Sequence, residues 1–230
     1  MSGHRIALGT AAVTSAVVAL ALHGLILRPR MLTWGATPDE VARGYPGDDL
    51  VPDAESSSTM ATTLPAPPEQ VWPWLVQMGG DRAGWYSWDR LDRMGEPSAT
   101  AIVPEWQSLE EGQRLIASPD GRSWFTVALV EPERTLVLRS SLELPSGHSF
   151  DVGSAQPPRA YLDGVWGFHL RPAPGDRTRL VVRTRGSSRP RRLTWLLSLL
   201  FGEPAHLIMQ VRQFHNLRTR LDPARDRTPA

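Results

Sequence analysis

An α+β fold is predicted, in which an antiparallel sheet with one apolar face is covered by a long carboxyl-terminal helix and a hydrophobic helix precedes the body. Three features of the chain carry this expectation. Residues 114–141 divide into three β-type runs separated by turn residues, residues 165–185 form a hairpin of alternating character, and residues 204–221 repeat apolar side chains at the helical period. At 230 residues the chain suffices for one domain with a full core plus an appendage.

Residues 6–27, IALGTAAVTSAVVALALHGLIL, run 22 residues without a formal charge. At 1.5 Å per residue they span about 33 Å, enough to cross a hydrocarbon core of about 30 Å. A single transmembrane helix within residues 1–30 is therefore expected. Ala19-Leu20-Ala21 resembles a signal-peptidase site. Apolar residues continue beyond it to Leu27, where Arg28 and Arg30 close the run, which favours an uncleaved anchor. Arg5 on one side against Arg28, Arg30 and Arg43 on the other places the body on the cytoplasmic side.

Residues 31–56 form a lead-in rich in Pro, Gly and acidic side chains. Its ATPDE string is a helix start, with Thr37 as N-cap, Pro38 at the first position and Glu40 at the third. Residues 57–64 suit a first strand, and Pro67 and Pro68 stop it while opening a helix. Val71, Trp74, Leu75 and Met78 then recur as one buried stripe. Pro73 conflicts with a regular helix at a cost of about 3 kcal/mol, so this helix should be short or kinked. A second short helical piece is expected around 87–94.

The pattern then changes to a meander with strands at 114–118, 122–130 and 135–141. A loose loop over 145–160 follows, and then the hairpin of 165–171 and 177–185. In the hairpin Trp166, Phe168 and Leu170 share a face with Leu180 and Val182, while Arg179, Arg183 and Arg185 point outward. A sheet with a single apolar face needs a cover. Leu207, Val211, Phe214, Leu217 and Leu221 supply it from the last helix. Ahead of that helix, Arg189, Arg191 and Arg192 lead into a run that includes Trp195, Leu196 and Leu199. This basic apolar segment is expected to contact the headgroup region of a membrane. Residues 57–222 are the domain and 223–230 a disordered tail.

Composition removes several chemistries. Without cysteine there is no disulfide, thiolate zinc site or cysteine nucleophile. All 25 basic side chains are arginines, which excludes Schiff-base chemistry and a Walker-type lysine. Charge is uneven: residues 1–158 carry 11 arginines against 19 acidic residues, and residues 159–230 carry 14 against 5. The final third is the part suited to an anionic surface.

The order of elements, together with the strings LPAPPEQVWPWLVQMGGDRAGWYSWDRLD, IVPEWQSLEEGQRL and EPAHLIMQVRQ, resembles the helix-grip superfamily of SRPBCC type. That group contains START lipid-transfer domains, Bet v 1 proteins and bacterial polyketide cyclases or dehydratases. The resemblance covers about residues 57–221 and implies a cavity between sheet and last helix. It further implies that Trp85, Tyr86, Trp88, Trp106, Trp166, Phe168, Met209 and Phe214 face a hydrophobic small molecule or lipid. On this basis a membrane-tethered carrier is expected, with a cyclase-like enzyme or an interaction module with a filled cavity as alternatives. Neither a cofactor nor a metal is implied. A nucleic-acid partner is disfavoured because Asp81, Asp89 and Asp92 cancel the arginines around Trp85.

No string matches a nucleophile elbow, a phosphate loop, a metalloprotease helix or a dinucleotide fingerprint. The remaining acid–base candidates are Glu105 beside Trp106, and Tyr86 with Asp89, three apart on one expected helix face. In the fold that the resemblance implies, Arg82, Asp89, Arg90 and Asp92 are solvated or capping. His169 is out of phase with the apolar strand face and should be exposed. His148 sits in the loop, at a possible entrance. His206 and His215 fall on opposite faces of the last helix.

Overall fold

The computed structural model describes residues 23–222 except 155, 192–193 and 195–197. A π-helical turn, His23–Leu27, runs into α1 (Arg28–Leu32), and α2 spans Pro38–Ala42. Thr37 and Glu40 close the capping box that their spacing predicts, with Thr37 N donating to Glu40 Oε2 at 2.8 Å. Then follow β1 (Ser56–Leu64), α3 (Pro68–Val76), the single turn α4 (Asp89–Asp92) and β2 (Arg114–Ile116). The remaining elements are β3 (Trp124–Glu131), β4 (Thr135–Glu143), β5 (Tyr161–Ala173), β6 (Arg177–Arg189) and α5 (Glu203–Arg220). The six strands form one antiparallel sheet in the order β1-β6-β5-β4-β3-β2.

Alternation along the strands sorts side chains to two faces. On the inner face Met60, Leu136, Leu138, Phe168, Leu170, Leu180 and Val182 meet Val71, Leu75 and Met78 of the α3 region and Phe214, Leu217 and Leu221 of the α5 region. This is the main core. Pro73 is held inside the short α3, and its missing donor leaves the carbonyl of Glu69 without that intrahelical bond.

The outer face is not the solvated surface that its arginines suggest. The lead-in folds across it. Tyr45 packs with Ala61 and Val181, and Val51 with Val137 and Val165. The acidic side chains of the lead-in meet the outward arginines of β6. Arg179 Nε and NH2 donate to both oxygens of Glu40 at 2.8 Å, Arg183 Nε donates to Asp48 at 3.1 Å, and Arg185 NH2 donates to the carbonyls of Val51 and Pro52 at 3.2 Å. The acidic first part and the basic last part of the chain thus neutralise each other. Close approach depends on glycine: a Cβ on Gly47, which has φ +90°, would lie 2.8 Å from a methyl of Val137.

Among the described residues no helix is long and apolar enough to cross a membrane. Residues 6–22 of the expected span, the tail from 223, and Arg192, Trp195 and Leu196 of the expected membrane segment lie outside the described residues. Of the rest of that segment, Arg189 sits over the Tyr161 ring, Arg191 pairs with Glu55, and Leu199 is half-buried.

Candidate ligand cavity

Between the inner sheet face and α5 lies a cavity of about 350 Å³. The segment between α3 and α4 supplies one wall. Gly79 and Gly80 follow the Gln77 C-cap of α3, and Gly80 N donates to Ile116 O at 2.7 Å, tying the segment to the sheet. This brings Trp85 against Phe125 of β3 and Trp166 of β5, with ring centroids 5.2 and 5.7 Å away. Phe125 and Trp166 are themselves 5.7 Å apart. Such tilted aromatic arrangements are the favourable ones. Met209 lines the α5 side.

Two buried glutamines on α5 order this wall. Trp166 Nε1 donates to Gln210 Oε1 at 3.2 Å, Gln210 Nε2 donates to Gln213 Oε1 at 2.8 Å, and Gln213 Nε2 donates to the Trp85 carbonyl at 2.8 Å. The chain of bonds links both indole walls through the helix. Thr184 and His206 line another part, and Ser58 Oγ lies 2.7 Å from Thr184 Oγ1 and 3.3 Å from His206 Nε2. Desolvation pulls the His206 imidazole down to about 4, so it is neutral at pH 7.

Asp92 and Ser87 complete the lining. Both carboxylate oxygens of Asp92 and the hydroxyl of Ser87 are buried without a hydrogen-bond partner. Burial, and next the neighbouring Asp89, push the Asp92 carboxyl up to about 6. Asp92 is therefore neither solvated nor a cap.

The expected site residues divide sharply. Trp85, Trp166 and Met209 line the cavity. Tyr86 does not: it is fully buried in the core with φ +56°, off any helix, and its Oη accepts from Gln77 Nε2 at 2.8 Å. Desolvation raises its phenol strongly, which keeps it protonated. Phe168 and Phe214 are core, and Phe214 stacks on Trp34. Trp106 packs at the core edge, where its carbonyl accepts from Arg82 NH2 at 2.5 Å. That contact also removes Arg82 from solvent.

Trp88 is 42% exposed, under the Arg212 guanidinium, in a separate apolar groove with Trp34, Ile208 and Val211. Asp89 starts α4 and accepts from Ser98 Oγ at 2.5 Å, and Glu105 is exposed on a 3-10 turn, Pro104–Trp106. Neither lines the cavity. His215 lines the outer groove, opposite His206, as the helical period requires, and His148 lies beside Arg122 instead of an entrance. His169 is 3% exposed rather than solvated, because Tyr45 of the lead-in covers it.

No protein-family model and no curated protein matches the chain. Solved structures do align with it. A protein from Helicobacter pylori, jhp0584, is 12% identical, with 79% of this chain and 96% of that one covered and a TM-score of 0.49. One from Mesorhizobium loti, MLL2253, is 22% identical, covering 76% and 100%, with a TM-score of 0.41. Ms6760 from Mycobacterium smegmatis is 12% identical over 73% and 91%, with a TM-score of 0.42. The architecture described above accordingly rests on this chain's own geometry.

Proposed function

We propose that the protein is a helix-grip binder of a compact hydrophobic molecule, working at a membrane to which its amino-terminal segment tethers it. The observation that carries the reading is the cavity itself. Its volume of about 350 Å³ lies at the low end of the range for small-ligand sites, and aromatic and thioether walls with a few convergent polar groups are the composition such sites share. A space of this size suits a single compact body better than a two-chain lipid.

Membrane residence is supported by a second observation. Arg28 Nε and NH2 donate to the two oxygens of Glu203 at 2.8 Å, fastening the residues that follow the apolar run to the first turn of α5. Around that junction Leu25, Leu27, Phe201 and Ile208 are exposed. Exposed apolar side chains gathered where an apolar segment enters are suited to a bilayer surface. A cyclase-like reaction has less support, since Glu105, Tyr86 and Asp89 all sit away from the cavity.

The test uses the full chain in lipid nanodiscs with the neutral dye N-phenyl-1-naphthylamine. Saturable one-site binding is expected, and Met209→Trp, which fills the cavity, should abolish it while circular dichroism stays unchanged. Dye uptake that is equal in the two proteins would refute the reading.

A further inference from the structure

The charge of the cavity wall is one-sided. The chain carries 25 arginines, yet none of the described ones lines the cavity. Its titratable side chains are His206, neutral as described, and Asp92. Arg93 is adjacent to Asp92 and its charge favours the carboxylate, but it makes no hydrogen bond to it: NH1 donates to the Pro97 carbonyl at 3.0 Å, NH2 pairs with Glu96 at 3.0 Å, and Nε is buried without a partner. The two carboxylate oxygens of Asp92 are left buried without a hydrogen-bond partner, and the rings of Trp85, Phe125 and Trp166 line the same space. A desolvated charge is costly unless it is paired, and aromatic faces attract cations.

We propose that the occupant this cavity selects is a hydrophobic organic cation, an ammonium group on an apolar body, paired with the Asp92 carboxylate inside the walls formed by Trp85, Phe125 and Trp166. The inference rests on reading the cavity as a binding site. The cation supplies the partner that Asp92 lacks and meets the ring faces, while its apolar body occupies the Met209 side. An anionic amphiphile meets the repulsion of Asp92 in a space of low dielectric, and no described arginine lines the cavity to pair with the anion.

Four other ionisable groups lie near Asp92. Asp89, on the same turn, disfavours its charge and Arg93 favours it. Asp81 and Glu96 line a second groove that Asp92 and Arg93 also border. None of them lines the cavity, so none competes for the cation there.

Three probes of one shape separate the possibilities in the same nanodiscs by displacement of N-phenyl-1-naphthylamine. Benzyltrimethylammonium is the cation, neopentylbenzene its neutral isostere, and 2,2-dimethyl-3-phenylpropanoate the anion. At pH 8 the cation should bind about tenfold more tightly than the isostere, and the anion most weakly. The preference should shrink several-fold at pH 5, where Asp92 is protonated, and likewise in Asp92→Asn at pH 8. Equal binding of cation and isostere, or a preference that survives in Asp92→Asn, overturns the inference and leaves the cavity reading intact. If the dye binds and none of the three displaces it, the inference also fails. If the dye itself shows no site, the cavity reading fails with it.

Discussion

Tyr45 of the lead-in packs its ring against the imidazole of His169 on β5, with centroids 4.7 Å apart, and so seals a histidine whose two nitrogens find no hydrogen-bond partner. Desolvation by this cover lowers the His169 imidazole from 6.5 to about 4. A base with a depressed folded pKa adds stability above its unfolded value. That stability is lost as pH falls from about 6.5 towards 4, up to about 3 kcal/mol in all. His169→Leu keeps an apolar body of suitable size and removes two unsatisfied nitrogens. Urea denaturation from pH 4 to 7 should show a flatter stability profile for the variant, with a gain of about 1 kcal/mol or more near pH 5.

The pair of Glu40 and Arg179 holds the lead-in by two charge-assisted bonds at 2.8 Å, with both side chains largely buried. The Arg179 guanidinium, hydrogen-bonded to the carboxylate, holds the Glu40 pKa below its ordinary value. The pair therefore contributes above pH about 4.5, and its contribution fades as pH falls through the folded pKa. Glu40→Gln should cost about 1–3 kcal/mol at pH 7 and almost nothing at the acid end. Limited proteolysis should cut residues 33–54 faster in the variant, and unchanged cleavage would show that the lead-in is held by other contacts.

The periodicity of the chain made the inner face readable. Trp166, Phe168, Leu170, Leu180 and Val182 lie where alternation places them, and Phe214 and Leu217 of α5 cover them. What alternation cannot state is what lies over the second face. The partners Glu40 and Arg179 are 139 residues apart, so nothing local connects them. The arginines of β6 read as exposed for that reason, and His169 with them. The α5 stripe was offset for a related reason. Buried Gln210 and Gln213 count as polar in any hydrophobic period, whereas the half-buried Val211 counts as apolar. Asp92 was hidden in DRLD, which looks like an ordinary exposed turn until the cavity wall closes around it. The surplus of acid in the lead-in against the arginines of β6 was the available signal for the docking.

Asp92 offers a stability readout independent of any ligand. Its folded pKa of about 6 lies above the ordinary 3.8 because burial and Asp89 disfavour the charge. A carboxyl of this kind destabilises the fold as pH rises through about 6, where the native state must release its proton, and has no such effect below about 4. Asp92→Asn should therefore raise Tm at pH 8 and leave it nearly unchanged at pH 4. A variant less stable at pH 8 would mean that Asp92 has a partner that stabilises its charge.

The glutamine pair should govern the indole walls more than the core does. Gln213→Leu keeps the apolar contacts of α5 but leaves the Trp85 carbonyl and Gln210 Nε2 without their partners at 2.8 Å. Two buried polar groups orphaned together should cost about 2–4 kcal/mol, more than the loss of a neutral hydrogen bond whose partners can reach water. Gln210→Leu orphans Trp166 Nε1 and Gln213 Oε1 but leaves the Trp85 carbonyl paired, and because the half-buried Trp166 borders the cavity, where water can reach its indole, the cost should be smaller. Because this chain joins Trp85 to Trp166 in addition to their 5.7 Å ring contact and their shared packing on Phe125, each variant should also alter near-ultraviolet circular dichroism. Unchanged aromatic bands with a cost below about 0.5 kcal/mol would show that the rings are fixed by packing alone.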